Sequence, residues 1–417
     1  MPLGTEITDP VNTALTSRVE RLSAVHTANQ TTGAVVIGGD YQGLGIVRSL
    51  GRQGIPVWVV DDELSISRYS RYCKKFVKLS DLRHERLTVD SLLEMGRGLG
   101  LDGWVLYPTR EELVAALSRN REELAEVFRV PTPDWETVKW AWDKRNTYRL
   151  ARDLGIPTPS THYLEHPDEL EQLRSISPPF VIKPAIKEHF FYSTKAKAWL
   201  ANSHAELREL FEKAIEHAGS GEIMVQELIP GGGRQQFSYC GFFCDGQAVG
   251  KMVVRRRRQH PLQFGRASTF VETLDIPILE KFSECFLQAI DYYGLVELEY
   301  KLDPRDGQYK LLDVNARTWG YHSLGAAAGV DFSHMLYADQ VGLPVSPSIG
   351  RPGVSWMRTT TDVPAAVMGI LSRDTSLSSY LRSLRSCDTE AVFSLSDPAP
   401  GLAEVALIPY LAIKRGF

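Results

Sequence analysis

Cysteine is scarce in this chain: five residues in 417, odd in number and mostly far apart. That excludes a disulfide framework and fits a reducing, cytoplasmic setting. Cys240 and Cys244 lie four apart in a predicted strand and share a face, but no His or Cys stands nearby at zinc-site spacing, so both read as buried thiols. Long apolar runs are also missing. No stretch is long enough to span a bilayer, and the opening thirty or so residues carry no signal-type hydrophobic segment, so residues 1–33 read as a flexible tail. Nor does one sign of charge dominate: a net charge of -4 argues against a general nucleic-acid binder. A strict G-x-G-x-x-G is absent, which weakens any oxidoreductase reading. What remains is a chain with 43% hydrophobic residues, enough for two or three domains with substantial cores.

The richest local pattern is a predicted hairpin. Val296 to Leu302 and Tyr309 to Asn315 flank an Asp306-Gly307 turn. Alternation puts Val296, Leu298, Tyr300 and Leu302 on one face and Glu297, Glu299 and Lys301 on the other. In the second strand it puts Leu312 and Val314 on one side, Asp313 and Asn315 on the opposite one. In the register that the turn suggests, Glu299, Asp313 and Asn315 converge as oxygen ligands for a hard cation such as Mg²⁺ beside phosphate oxygens. Arg317, two residues on, projects to that side and can grip phosphate or acyl-phosphate oxygens. The alternative is a solvated face of an edge hairpin.

Upstream, Ala34 to Ile37, the turn Gly38 to Gly43, a helix over Leu44 to Leu50 and a strand over Ile55 to Val60 form a parallel strand–helix–strand unit. With Trp104 to Pro108 and a helix from Glu111, it closes a domain near residue 130. A proline-bounded joint at Pro131 to Pro133 follows. Asp143 then caps a helix carrying Thr147, Leu150, Ala151 and Leu154 at i, i+3, i+4 and i+7, with Lys144 in its first turn. Phe180 to Pro184 is a buried-type strand closed by Lys183, whose desolvation an anion such as a nucleotide phosphate, or a structural ion pair, would offset. Residues 187–197 mix Lys, His, Ser and aromatics, as a flap over phosphates would. Ile223 to Glu227 runs through Leu228 and Ile229 into Pro230 and three glycines, a strand-to-loop linker whose backbone can read an adenine edge.

Taken in order, Asp143-Lys144, Val181-Ile182-Lys183-Pro184, Val225 to Gly231, Glu299 and Asp313-Val314-Asn315-Ala316-Arg317 resemble the ATP-grasp superfamily, most of all its carboxylate-amine ligases of the D-aspartate ligase type. The resemblance runs from Ala34 onward. It implies an α/β chain with an α+β grasp: a half-Rossmann parallel-sheet domain at 34–130, a two-lobed ATP-grasp domain at 131–345 and a C-terminal extension at 346–417. It also implies that Lys144, Lys183, Gln226, Glu227, Leu228 and Ile229 bind ATP, that Glu299, Asp313 and Asn315 hold Mg²⁺ (Mn²⁺ being admissible), and that Arg317 stabilises the transferred phosphoryl group. Three positions depart from the family. Gln236 stands in for the acid that takes the ribose hydroxyls; Glu297 occupies the place where D-alanine:D-alanine ligases have an Arg; and the flap lacks glycines, leaving Lys195 or Lys197 to reach phosphate.

The missing positive charge has a candidate source in Arg255-Arg256-Arg257-Arg258 and Arg266. The run follows a strand at Ala248 to Val254 and ends in a loop expected to overhang the ATP site. If alternation holds, Arg256 and Arg258 share a face and clamp an acyl phosphate, with Arg266 closing from the loop; the alternative is a solvated patch. The resulting expectation is an ATP-dependent ligase that joins a small carboxylate to an amine, both expected to be amino acids, through an acyl phosphate, with no nucleic-acid or membrane partner and with a homodimer allowed. Other readings are an ATP-grasp carboxylase, a carboxylate kinase, or a non-catalytic nucleotide-binding regulator.

Overall fold

A computed structural model describes residues 32–261, 264–265 and 267–415. The predicted tail, apart from its last two residues, and Arg266 lie outside the described residues. Near the N-terminus, β1 (Ala34–Ile37), β2 (Val57–Asp61), β3 (Cys73–Lys78) and β4 (Val105–Pro108) form a parallel sheet in the order β3-β2-β1-β4. All four residues of β1 are buried, as expected where a parallel strand is covered on both faces. The turn out of β1 is tight. Gly38 has φ +96, and a Cβ there would sit 2.1 Å from Thr109 Oγ1. Asp40 caps the following helix, Tyr41–Arg52. Asp61, at the end of β2, accepts the Gly39 N–H at 2.6 Å and pairs with Arg110 at 2.6 Å. It fastens the turn.

The second sheet is antiparallel, with β5 (Thr161–Tyr163), β6 (Phe180–Pro184), β7 (Trp199–Ala201) and β8 (Ile223–Glu227) in the order β5-β8-β6-β7. Its inner face packs Phe180, Ile182 and Val225 on Leu207, Phe211 and Ala214 of the helix His204–Ala218. The alternation that buries these residues turns Val181, Lys183 and Gln226 to the other face. Residues 187–197, read as a flap, contain a helix, Lys187–Thr194.

The third sheet holds β9 (Gln236–Cys244), β10 (Gln247–His260), β11 (Ala267–Leu274), β12 (Gly294–Leu302), β13 (Tyr309–Asn315), β14 (Ser348–Ile349), β15 (Ser355–Met357) and β16 (Thr389–Glu390). The order is β13-β12-β9-β10-β11-β15-β16, with β14 beside β10. One face buries Tyr239, Val253, Val296, Leu298 and Tyr300 against Leu279, Phe286 and Leu287 of the helix Pro277–Ala289. The other carries Cys240, Phe242, Met252 and Val254 into a core shared with Val36, Leu44, Val47 and Val57 of the N-terminal unit. This packing fixes the edge of the first sheet beside the third. Cys240 and Cys244 are buried and free, as expected.

Two strand details correct the expected geometry. The arginine run does not end a strand before a loop: β10 continues through Arg258 to His260, with register shifts between Arg256 and Arg258 and between Arg258 and Gln259. The extra residue breaks the alternation, so Arg256 and Arg258 do not share a face. A second shift, between Glu299 and Tyr300, sets Tyr300 opposite Leu311 and Glu299 opposite Asp313. Leu311 therefore joins Val314 in the core, and Leu312 turns into the cleft instead of pairing with Val314.

Candidate active site

The cleft between the second and third sheets has a volume of about 490 Å³. Lys144 and Lys183 enter from one side and Gln226 to Gly233 line its end, while Gln236, Arg256, Glu299, Leu312 and Asp313 come from the third sheet. Local structure explains each position. Asp143 caps the helix Lys144–Asp153, so Lys144 starts the helix beside the cleft and reaches Asp313 Oδ1 at 2.8 Å. Lys183 donates to the Tyr148 hydroxyl at 2.7 Å. Burial, with Lys144 alongside, pulls Lys183 down to about 7. Tyr148 itself donates to the Leu312 carbonyl at 2.8 Å, so one residue links lysine, helix and hairpin.

The linker is more occupied than its sequence suggests. Gln226 donates to Thr161 Oγ1 at 2.6 Å. Glu227 pairs with Lys310 at 3.0 Å and with Arg305 at 2.5 Å, and its N–H donates to the Ser160 carbonyl. Glu227 thus anchors the linker to the hairpin, and the backbone of Leu228 and Ile229 carries the chain past the cleft into Gly231, at φ +95.

The hairpin brings the three expected oxygen ligands together, and the shift at Glu299 sets their register. Glu297 is opposite Asn315 and Glu299 opposite Asp313. The Asn315 amide nitrogen donates to Glu297 Oε2 and Glu299 Oε1, each at 3.0 Å. Arg256 reaches Glu299 Oε2 at 3.3 Å and donates to Gln236 Oε1 at 2.7 Å. Burial works against the charge on Glu299, yet Arg256, Lys197 and Asn315 hold its pKa below the usual carboxylate range. Glu297 behaves oppositely: burial, then the neighbouring Glu299, push it up to about 7, even though the Tyr321 hydroxyl donates to it. Arg317 is anchored by Glu111 at 2.6 Å and by the Thr318 carbonyl at 3.0 Å, with Asn315 Oδ1 at 3.4 Å.

Donor chemistry here suits a hard divalent cation. Two carboxylates and an amide oxygen leave further positions for phosphate oxygens and water. Among the described residues no group of three or more His, Cys, Asp or Glu is arranged to bind a metal by itself. Glu299, Asp313 and Asn315 supply three oxygens to such an ion, and a nucleotide's phosphates would supply more.

A small cavity of about 80 Å³ lies at this cluster. It shares Lys197, Arg256, Glu299 and Asp313 with the cleft, and Tyr41, Gln42 and Arg317 with a third cavity of about 370 Å³. That third cavity is walled by the edge of the first sheet, including Asp40, Tyr41 and Arg110, and by Phe191, Tyr192, Lys195 and Arg358.

Not every predicted residue joins the site. Arg258 forms a bidentate pair with Asp362, both contacts at 2.8 Å, and stacks near Phe270 and Tyr380. It lines neither the cleft nor the small cavity, because of the bulge after Arg256. Lys197 lines the cleft, whereas Lys195 lines the third cavity. Tyr148, Glu111 and Tyr321 escaped the sequence reading. Tyr148 carried a signal, since it stands four residues after Lys144 on the same helix face; Glu111 and Tyr321 meet the hairpin only through tertiary packing.

No family model matches the chain. It is similar to the D-aspartate ligase of Enterococcus faecium, 22% identical over 326 residues that span 74% of this chain and 76% of that protein. In structure it is similar to the biotin carboxylase domain of the Hydrogenobacter thermophilus 2-oxoglutarate carboxylase, solved with MgADP, ADP and bicarbonate. The TM-score is 0.63 at 15% identity, covering 78% of this chain and 74% of that one. It is also similar to the L-amino acid ligase of Bacillus licheniformis, with a TM-score of 0.56 at 16% identity and 75% of each chain covered. In its pair of sheets, the cleft between them and these likenesses, the chain resembles ATP-grasp proteins in fold and, in sequence, a carboxylate-amine ligase.

Proposed function

We propose that this protein is an ATP-dependent ligase that joins a small carboxylate to an amine. One observation carries the reading: the carboxylate–amide–arginine cluster lines a small cavity that shares Glu299, Asp313 and Arg256 with the cleft and Tyr41, Gln42 and Arg317 with the cavity at the first sheet's edge. A phosphoryl donor and an acceptor can therefore meet at Glu299, Asp313, Asn315, Arg256 and Arg317. Leu228 and Ile229 would hold adenine, and Lys144 and Lys183 would neutralise phosphate charge.

The reaction has two steps. A carboxylate oxygen attacks the γ-phosphorus of ATP, the bond to ADP breaks, and an acyl phosphate forms. An amine nitrogen then bonds to the acyl carbon as phosphate leaves with the carbon–oxygen electron pair and the amine gives up a proton. Glu299, Asp313 and Asn315 would hold Mg²⁺, which draws negative charge from the phosphate oxygens when bound. Arg256 and Arg317 stand where the transferred phosphoryl oxygens gain charge, Arg256 taking the role expected of Arg258. Anchoring by Gln236 and Glu111 pre-sets both guanidiniums, so little reorganisation is needed during transfer. No side-chain nucleophile is required. The third cavity, with acids, cations and aromatic walls, suits substrates that carry both charges, such as amino acids.

Phosphate release from Mg-ATP, screened against pairs of amino acids and small carboxylates with mass spectrometry of the products, tests the reading. ADP, phosphate and an amide are expected together. ADP and an acyl phosphate without any condensed product would favour a carboxylate kinase, and nucleotide binding without turnover would favour a regulator.

A further inference from the structure

The bulge that sends Arg256 into the cleft has a second effect on the opposite side of β10. Arg255, Arg257 and Arg258 line a cavity of about 280 Å³ there, joined by Arg234 and by Ser376 and Ser379 at the start of the helix Leu377–Arg385. Two of the guanidiniums have carboxylate partners. Arg257 pairs with Glu272 at 2.8 Å and Arg258 with Asp362. The other two do not: among the described residues no carboxylate pairs with Arg234 or Arg255. Arg234 donates to the Asp374 carbonyl, and the Nε of Arg255 is buried with no acceptor. A buried guanidinium N–H without an acceptor is costly, and four guanidiniums around one space repel one another. Asp374 is the acid in the wall, and its carboxylate accepts the Ser372 hydroxyl.

We propose that this cavity binds the phosphate group of a small phosphorylated ligand at a site separate from the nucleotide cleft. Guanidinium forks, serine hydroxyls and the positive end of a nine-residue helix are three kinds of donor facing one space, and a multiply charged tetrahedral oxyanion accepts from all of them. The ligand's body has room to extend. An adjoining cavity of about 610 Å³ shares Arg234, Arg257 and Arg258 and runs along Ala365 and Gly369 to Gly231–Gly233. That glycine turn also lines the nucleotide cleft, so an occupied second site touches the segment that closes the first.

Calorimetric titration of inorganic phosphate into the full chain, preloaded with Mg²⁺ and a non-hydrolysable ATP analogue at physiological salt, tests this. The analogue fills the γ-phosphate position, so phosphate bound afterwards lies elsewhere. One equivalent is expected to bind, and Arg234→Gln with Arg255→Gln together should weaken it by at least about tenfold while analogue binding stays at the parent level. Should the double variant fold poorly, Ser379→Asp places a repelling charge at the rim and should give the same loss. Loss of all phosphate binding once the analogue is bound, or unchanged binding in these variants, overturns the proposal. Neither result bears on ligation, which is read from turnover.

Discussion

Glu299 and Asp313 differ from an ordinary acid pair on a strand because each is held by a cation and one of them shares the Asn315 amide. If they hold the metal, Glu299→Gln or Asp313→Asn should lower ATP turnover by on the order of a hundredfold or more, with little change in melting temperature. Turnover rates near the parent's would remove the metal assignment. Lys183 makes a prediction about protons. The free enzyme holds it near 7, far below the usual lysine range, so at pH 8 it is mostly neutral. Phosphate favours the ammonium form, so nucleotide binding takes up a proton, and affinity falls as pH rises above 7. Calorimetry at pH 8 in two buffers of different ionisation enthalpy should register uptake approaching one proton, abolished in Lys183→Met. No uptake in the parent would place the lysine away from phosphate.

Strand β10 shows how one extra residue reassigns a motif. Sequence alternation sends Arg256 and Arg258 to one face; the bulge instead gives Arg256 to the cleft and Arg258 to Asp362. The two should respond differently to truncation. Arg258→Ala strands a fully buried Asp362 and should cost about 3–5 kcal/mol of stability, read by denaturant unfolding. Arg256→Ala should depress turnover far more than stability; the reverse pattern would restore Arg258 to the chemistry. Elements set by periodicity and caps were legible in advance: the helix after Asp143, the apolar strand ending in Lys183, and the two hairpin strands that carry Glu299, Asp313 and Asn315. Bulges were not, since they depend on how neighbouring strands pair, and that cost the sequence reading both Leu312 and Arg258. Partners brought from elsewhere in the chain, such as Glu111 on Arg317, carry no local signal.

At the scale of the whole molecule, the described part of the C-terminal extension, residues 346–415, is built into the fold. β15 and β16 extend the third sheet, Trp356 is fully buried, and Asp397 pairs with Arg48 at 2.9 Å while accepting from Ser70 and the Arg71 N–H. The C-terminal segment thereby ties the first sheet to the third, and Arg358, paired with Glu404 at 2.7 Å, lines the cavity between them. Three regions of the chain thus wall a row of cavities that share lining residues, from Leu228 and Ile229 to the edge of the first sheet. The central claim is that a carboxylate crosses them to be phosphorylated. It is tested most directly by supplying carboxylate substrates labelled with ¹⁸O, together with Mg-ATP and an amine, and measuring the label in the released phosphate. An acyl-phosphate route predicts one ¹⁸O atom transferred per amide formed; unlabelled phosphate, or AMP and pyrophosphate as products, would contradict it.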